Sequence, residues 1–201
     1  MCEGRIATEQ IAFAAPSDEH GVATLRARAG GYIVDMVIFA AISMIIVVVA
    51  GIILLASTDW AQQDASDREF YSFLAIIGFG APLIWTLLNL FLLSRRHQTG
   101  GQYVAGIRLA REDQAPLSSR NIVAWWFCFN PLLFSWPMAI MAGLPLAAVI
   151  AVVLGTWTIV AFGTVVTLCL LMPVAAFVYA LLDDRNRAPH DRVVGTVVVP
   201  A

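Results

Sequence analysis

The chain has 201 residues, 60% of them apolar and 13% charged, and a mean hydropathy of +0.79. One globular core of this length cannot hide so much apolar surface, so the composition excludes an ordinary soluble domain and implies a membrane protein. A net charge of -2 likewise gives no basis for binding nucleic acid.

Residues 1–27 are polar, contain Pro16 and the acidic run Ser17–His20, and lack the apolar stretch of a cleaved signal peptide, so they are expected to form a flexible cytoplasmic leader. The first apolar run begins in Arg28–Asp35 (RAGGYIVD) and carries an acid in with it. On a helix Arg28, Tyr32 and Asp35 stand at i, i+4 and i+7 and share one face. A bare carboxylate at the centre of a membrane helix costs about 2.5–3.5 kcal/mol, so that face is not expected to meet lipid. Two readings of Asp35 stay open. It is a proton or cation site reached from the cytoplasm, with Tyr32 and Asn89 as neutral ligands, or it is half of a buried structural ion pair with Arg28.

The first span is predicted over residues 31–56. An acidic loop, Thr58–Glu69, follows with Arg68 as its one arginine and Trp60 at the interface. The second span covers 70–93, where Gly78, Gly80 and Pro82 predict a kink and Asn89 is the deepest strongly polar side chain. The insert 94–120 carries Arg95, Arg96, Arg108, Arg111 and Arg120. Within it Tyr103–Ala110 alternates as a short strand does, and Thr99-Gly100-Gly101 reads as a turn rather than a phosphate loop.

From Asn121 to Leu182 there is no charged residue and no histidine. Arginines cluster before the first span, in the insert and after Leu182, against Arg68 alone in the acidic loop, which places all three clusters in the cytoplasm. The number of crossings after Arg120 must then be even. Ile122–Phe129, with Trp125 and Trp126, is accordingly expected to lie in the interface and break at Asn130-Pro131, before spans over 132–154 and 158–182. The tail, Asp183–Ala201, ends in VVGTVVV, a strand that would pair with Tyr103–Ala110. Asp191 then closes a gate by pairing with Arg28, or anchors the tail through Arg28 or Arg108. The expected architecture is all-α: a four-span polytopic helical bundle over residues 28–199, with an interfacial helix and a small two-stranded cytoplasmic β element.

Chemistry beyond these charges is sparse. Cys2, Cys128 and Cys169 are scattered and indicate neither disulfides nor a zinc site, and His190-Asp191 lacks further ligands at metal spacing. No nucleophile stands with a base, so neither an enzyme nor a cofactor is expected.

Three blocks, RAGGYIVD, QTGGQYVAGIRL and HDRVVGTVVV, together resemble the RDD family of bacterial membrane proteins, named for one arginine and two aspartates. Arg28 and Asp35 fit the arginine and first aspartate. Thr99, Gly101, Gly106 and Arg108 fit the segment after the second helix, and His190, Asp191, Gly195 and Thr196 fit the terminal motif with the second aspartate. Gln102 stands where a lysine is common, and Trp125 or Trp126 stands near the place of a usual arginine. The resemblance implies a multi-pass protein of the bacterial inner membrane with both termini cytoplasmic, and an association with transport of the sodium/proton exchange type. Two functions are therefore expected in competition: a small ion-coupled transporter working as an oligomer, or a non-catalytic scaffold or assembly factor with a structural Arg/Asp network. The expected partners are the lipid bilayer and a second copy or another membrane protein.

Overall fold

The structure is a computed structural model that describes residues 21–128, 130, 132 and 157–201. Most of the predicted leader and, Leu132 apart, the predicted third span lie outside the described residues. Helix α1 runs Leu25–Ser57 and α2 runs Asp67–Arg96, both longer than the predicted spans. At about 1.5 Å per residue each exceeds the roughly 30 Å of a hydrocarbon layer, and both are apolar enough to cross one. Thr24 caps α1 through the Ala27 N–H. Ser66 caps α2 in a reciprocal box with Glu69, which fixes where the chain turns back.

The two helices pack as an antiparallel pair. Helix α2 runs as one element through Pro82. A Cβ on Gly80 would lie 3.3 Å from Ile46 Cγ2, so this glycine lets the helices approach. The outer faces are apolar: Ile33, Met44, Phe79 and Leu83 are all more than half exposed. Buried positions include the polar Asp35, Ser43 and Asn89. Apolar outside with polar side chains within is the arrangement a bilayer selects.

The insert departs from expectation at its start. Gly100–Val104 is a short helix, α3, and strand β1 begins only at Ile107 and ends at Arg111. The cause is a second reciprocal box, in which Thr99 Oγ1 accepts from the Gln102 N–H and the Gln102 side chain accepts from the Thr99 N–H at 2.9 Å. Thr99-Gly100-Gly101 is thus a helix start and not a free turn. Helix α4, Ser119–Phe127, follows, and α5 spans Trp157–Leu182, close to the predicted fourth span. In the tail the first two residues of the predicted strand, Val193 and Val194, are helical, closing α6, Pro189–Val194. Pro189 stands in its first turn, and Gly195, at φ 69°, ends it in a left-handed conformation that glycine adopts without strain.

Strand β2, Thr196–Pro200, pairs antiparallel with β1, Leu109 opposite Val198. The expected pairing is therefore present, shifted to Ile107–Arg111 on the insert side. On its other edge β2 bonds to the chain before α1, through the Ala23 N–H to the Val198 carbonyl at 2.8 Å. Both ends of the described chain meet at this sheet, and the C-terminal end of α2 joins it through the Leu109 N–H to the His97 carbonyl.

Helix α4 turns its tryptophans inward. Trp125 and Trp126 are both buried. The Trp126 ring packs on Trp85 at 6.4 Å, and Trp85 in turn on Phe39 at 5.4 Å, so an aromatic series ties α4 to α2 and α1.

Candidate functional site

Two buried carboxylates organise the sheet end of the bundle. Asp191 belongs to α6 and is fully buried. Arg28, in the first turn of α1, donates from Nη1 to Asp191 Oδ2 at 2.7 Å. Trp125 Nε1 donates to the other oxygen, Oδ1, at 2.7 Å, and the Ala188 N–H reaches Oδ2 at 3.1 Å. Thr196 Oγ1 stands 3.4 Å from Oδ1. Burial by itself would push the Asp191 carboxyl up; Arg28, with His190 and Trp125 beside it, holds it below the usual carboxylate range. His190 packs edge-on to the Trp125 ring, with Nε2 3.7 Å from Asp191 Oδ1. Its imidazole is pushed down by burial and by Arg28, against the pull of Asp191.

The other carboxylate is Asp35, on α1 and 2% exposed. Thr99 Oγ1 donates to Oδ2 at 2.5 Å and the Gly101 N–H donates to Oδ1 at 2.7 Å. Both donors are neutral and both sit at the start of α3. Backbone approach makes this possible: a Cβ on Gly101 would lie 2.7 Å from Asp35 Cγ and overlap the Gly31 carbonyl. A Cβ on Gly31 would in turn lie 3.3 Å from the Gly101 oxygen. Gln102, at the position where the family commonly has lysine, caps Thr99 and so holds the hydroxyl that faces Asp35.

The expected charge network is thus divided in two. Asp35 is not paired with Arg28, whose carboxylate partner is Asp191. Asn89 is buried but bonds back along its own helix, Nδ2 to the Trp85 carbonyl at 3.0 Å. Arg108 does not anchor the tail by charge: it is exposed on β1, and its link to β2 is the backbone register opposite Val199. The tail is anchored by charge elsewhere, through Arg185 and Arg187 to Glu112 of the insert, with Arg187 also on Asp183 at 2.9 Å. Gly106 and Gly195 have φ of 65° and 69° and stand one residue before each strand, which is the role of those two motif glycines.

The sequence reading missed Trp125 as the second donor to Asp191, and Thr99 and Gly101 as the donors to Asp35. The Thr99-x-x-Gln102 spacing was the available sign of a helix start there. Arg28, Tyr32 and Asp35, from α1, line one cavity of about 430 Å³ with His190 and Asp191 from α6 and residues of α5. Among the described residues no group of three or more His, Cys, Asp or Glu could hold a metal ion.

Membrane-length helices with an apolar exterior, closed at one end by an arginine–aspartate cluster under a two-stranded sheet, define a helical membrane protein. The RDD family model matches residues 22–195, and the chain belongs to the RDD family. No curated protein and no solved structure matches it.

Proposed function

We propose that the protein is a four-span transporter of the bacterial inner membrane, ion-coupled in the sodium/proton manner, with Asp35 as the carboxylate that exchanges a proton for a cation. The observation that carries this reading is the difference between the two buried acids. Asp191 has a guanidinium on it, whereas Asp35 has only a hydroxyl and a peptide N–H. An intramembrane carboxylate without a counter-ion is a proton or cation site by default. Each Asp35 oxygen keeps lone-pair capacity after accepting one bond. Tyr32 and Asp35 line the same cavity.

The topology follows from charge. Arg28, Arg108, Arg111, Arg185 and Arg187 all stand at the sheet end, and Arg68 at the far end of the α1–α2 pair. Arginine-rich ends face the cytoplasm, so both termini belong there. Helix α5 ends beside the sheet and α4 starts there, so a crossing by α5 requires one more crossing between them. Four spans seldom enclose a pathway, and a homo-oligomer supplies the rest of the wall. No nucleophile or metal chemistry is assigned to the protein.

The alternative is a non-catalytic scaffold in which Asp35 is only a bracket between α1 and α3, a reading favoured by both its oxygens being engaged. Sodium-dependent proton flux in proteoliposomes decides. Transport predicts flux in the wild type and none in Asp35→Asn that still elutes as a folded species. A folded wild type without flux supports the scaffold.

A further inference from the structure

Helix α2 ends on two arginines that the protein leaves unmatched. Arg95 and Arg96 are exposed in its last turn, and neither has a hydrogen bond or an ion pair among the described residues. No acid occurs in the sequence between Glu69 and Glu112, so neither α2 beyond its first turn nor α3 carries a counter-charge. What holds the two guanidinium groups is aromatic. Arg95 Cζ lies 5.7 Å from the centroid of the Phe91 ring, one turn back on α2, and Arg96 Cζ lies 5.2 Å from that of Tyr103 on α3. A ring draws the cation but supplies no acceptor oxygen, so both forks are positioned while their N–H donors are kept for an anion.

The same two arginines end two neighbouring ridges of α2. At i+4 spacing Leu83, Leu87 and Phe91 lead to Arg95, and Ile84, Leu88 and Leu92 lead to Arg96. Leu83, Leu87 and Phe91 are all more than half exposed, and Ile84 and Leu88 are 45% and 37% exposed. An apolar groove therefore runs along the outside of the helix between the ridges and comes out between two guanidinium groups. At about 1.5 Å per residue it is about 18 Å long, close to the depth of one leaflet of a hydrocarbon layer about 30 Å thick. A soluble anion would leave this groove uncovered, and a lipid without net charge would leave the two cations unmatched. A second copy docked two-fold on the same face would set four arginines against one another.

We propose that this face of α2 binds one anionic glycerophospholipid from the leaflet at the sheet end of the bundle, its phosphate between Arg95 and Arg96 and one acyl chain in the groove that leads to them. The cavity beside Asp35 is lined chiefly by α1, α5 and α6, so the lipid site lies apart from it and does not depend on whether Asp35 carries a transported ion.

The test is a lipid titration of the purified full chain in dodecyl maltoside, read by native mass spectrometry, with the folding of each variant checked by thermal unfolding. Three probes are compared: palmitoyl-oleoyl phosphatidylglycerol; palmitoyl-oleoyl phosphatidylcholine, which has the same chains and no net charge; and glycerol phosphate, which has no chains. Phosphatidylglycerol is expected to saturate at one molecule per chain and to bind about 25-fold more tightly than phosphatidylcholine, at about fivefold per arginine. Glycerol phosphate is expected not to displace it. Arg95→Gln and Arg96→Gln should each lose about fivefold, and the double variant all of the preference. Both side chains are exposed and unpaired, so the fold does not rest on them, and the single variants decide the matter if the double variant does not fold. Arg108→Gln removes another exposed arginine, on β1, and is expected to leave the preference unchanged. Equal binding of the two lipids, displacement by glycerol phosphate, an equal loss in Arg108→Gln or a lipid-free dimer formed through α2 would each overturn the proposal, as would a preference that survives in the folded variants.

Discussion

Arg28 and Asp191 are 163 residues apart in the chain and 2.7 Å apart in the structure, joining the first turn of the first helix to the last helix before the terminal strand. The pair sits under the β1–β2 sheet, where the Ala23 N–H also bonds to Val198. It closes the sheet end of the bundle, and its loss is a question of stability before it is one of function. Asp191→Asn leaves the Arg28 guanidinium buried without a counter-ion, a change of the kind that costs about 3–5 kcal/mol. A fall of that size in unfolding free energy, followed by denaturant titration in detergent, is expected; a loss below about 1 kcal/mol would show that water replaces the carboxylate.

The second donor to Asp191 separates two adjacent tryptophans. Trp125→Phe removes the Nε1 bond at 2.7 Å and leaves a buried carboxylate oxygen short of a partner, worth about 1–3 kcal/mol. Trp126 Nε1 has no partner, so Trp126→Phe costs only packing against Trp85. The expected order of unfolding midpoints is wild type, then Trp126→Phe, then Trp125→Phe.

Glycines give a comparable contrast. Gly101→Ala drives a Cβ into the Asp35 carboxylate and the Gly31 carbonyl, and backbone on one side cannot yield; a loss of about 1–3 kcal/mol is expected. A Cβ on Gly163 in α5 meets nothing within 4 Å, so Gly163→Ala is expected to be neutral or to stabilise by up to about 1 kcal/mol through helix propensity. Thermal unfolding of both variants in one detergent checks the pair.

The histidine beside Asp191 sets a pH dependence whose sign follows from burial. His190 in the fold takes up a proton less readily than the ordinary histidine value of about 6.5. Above that pH the side chain is neutral in both states and stability is flat. As pH falls below about 6.5 the unfolded chain binds the proton first, and stability drops until the folded-state value is reached. Asp191 is held low, so its contribution survives down to about pH 4 and is lost only below that. Between pH 7 and 5 the unfolding midpoint should therefore fall in the wild type and fall less in His190→Gln. Parallel slopes would remove His190 from the account.

How much of this was legible in the sequence depended on which atoms do the binding. Long apolar runs gave α1, α2 and α5, because length and hydropathy alone decide a membrane-scale helix. The tail strand and its partner in the insert were visible as β-branched or alternating segments, and an arginine with two aspartates announced a charge cluster. The partners of Asp35 were not visible, because one is a peptide N–H, which every residue has, and the other is a threonine inside what reads as a glycine turn. Trp125 was read as an interfacial aromatic since an indole looks the same in a headgroup layer as beside a buried acid. Its burial comes from packing against α6, which no local pattern records. Spacing likewise does not reveal that Gly80 makes room for Ile46.

The claim at the centre of the account is that the two buried acids do different work, Asp191 holding the fold and Asp35 taking the ion. Sodium-dependent proton flux, measured in sealed proteoliposomes for the wild type and Asp35→Asn with folding of each verified by size exclusion, tests it most directly. The account predicts flux in the wild type and its loss in an Asp35→Asn variant that remains folded. Equal flux in the two proteins would contradict it and leave Asp35 as a bracket between α1 and α3.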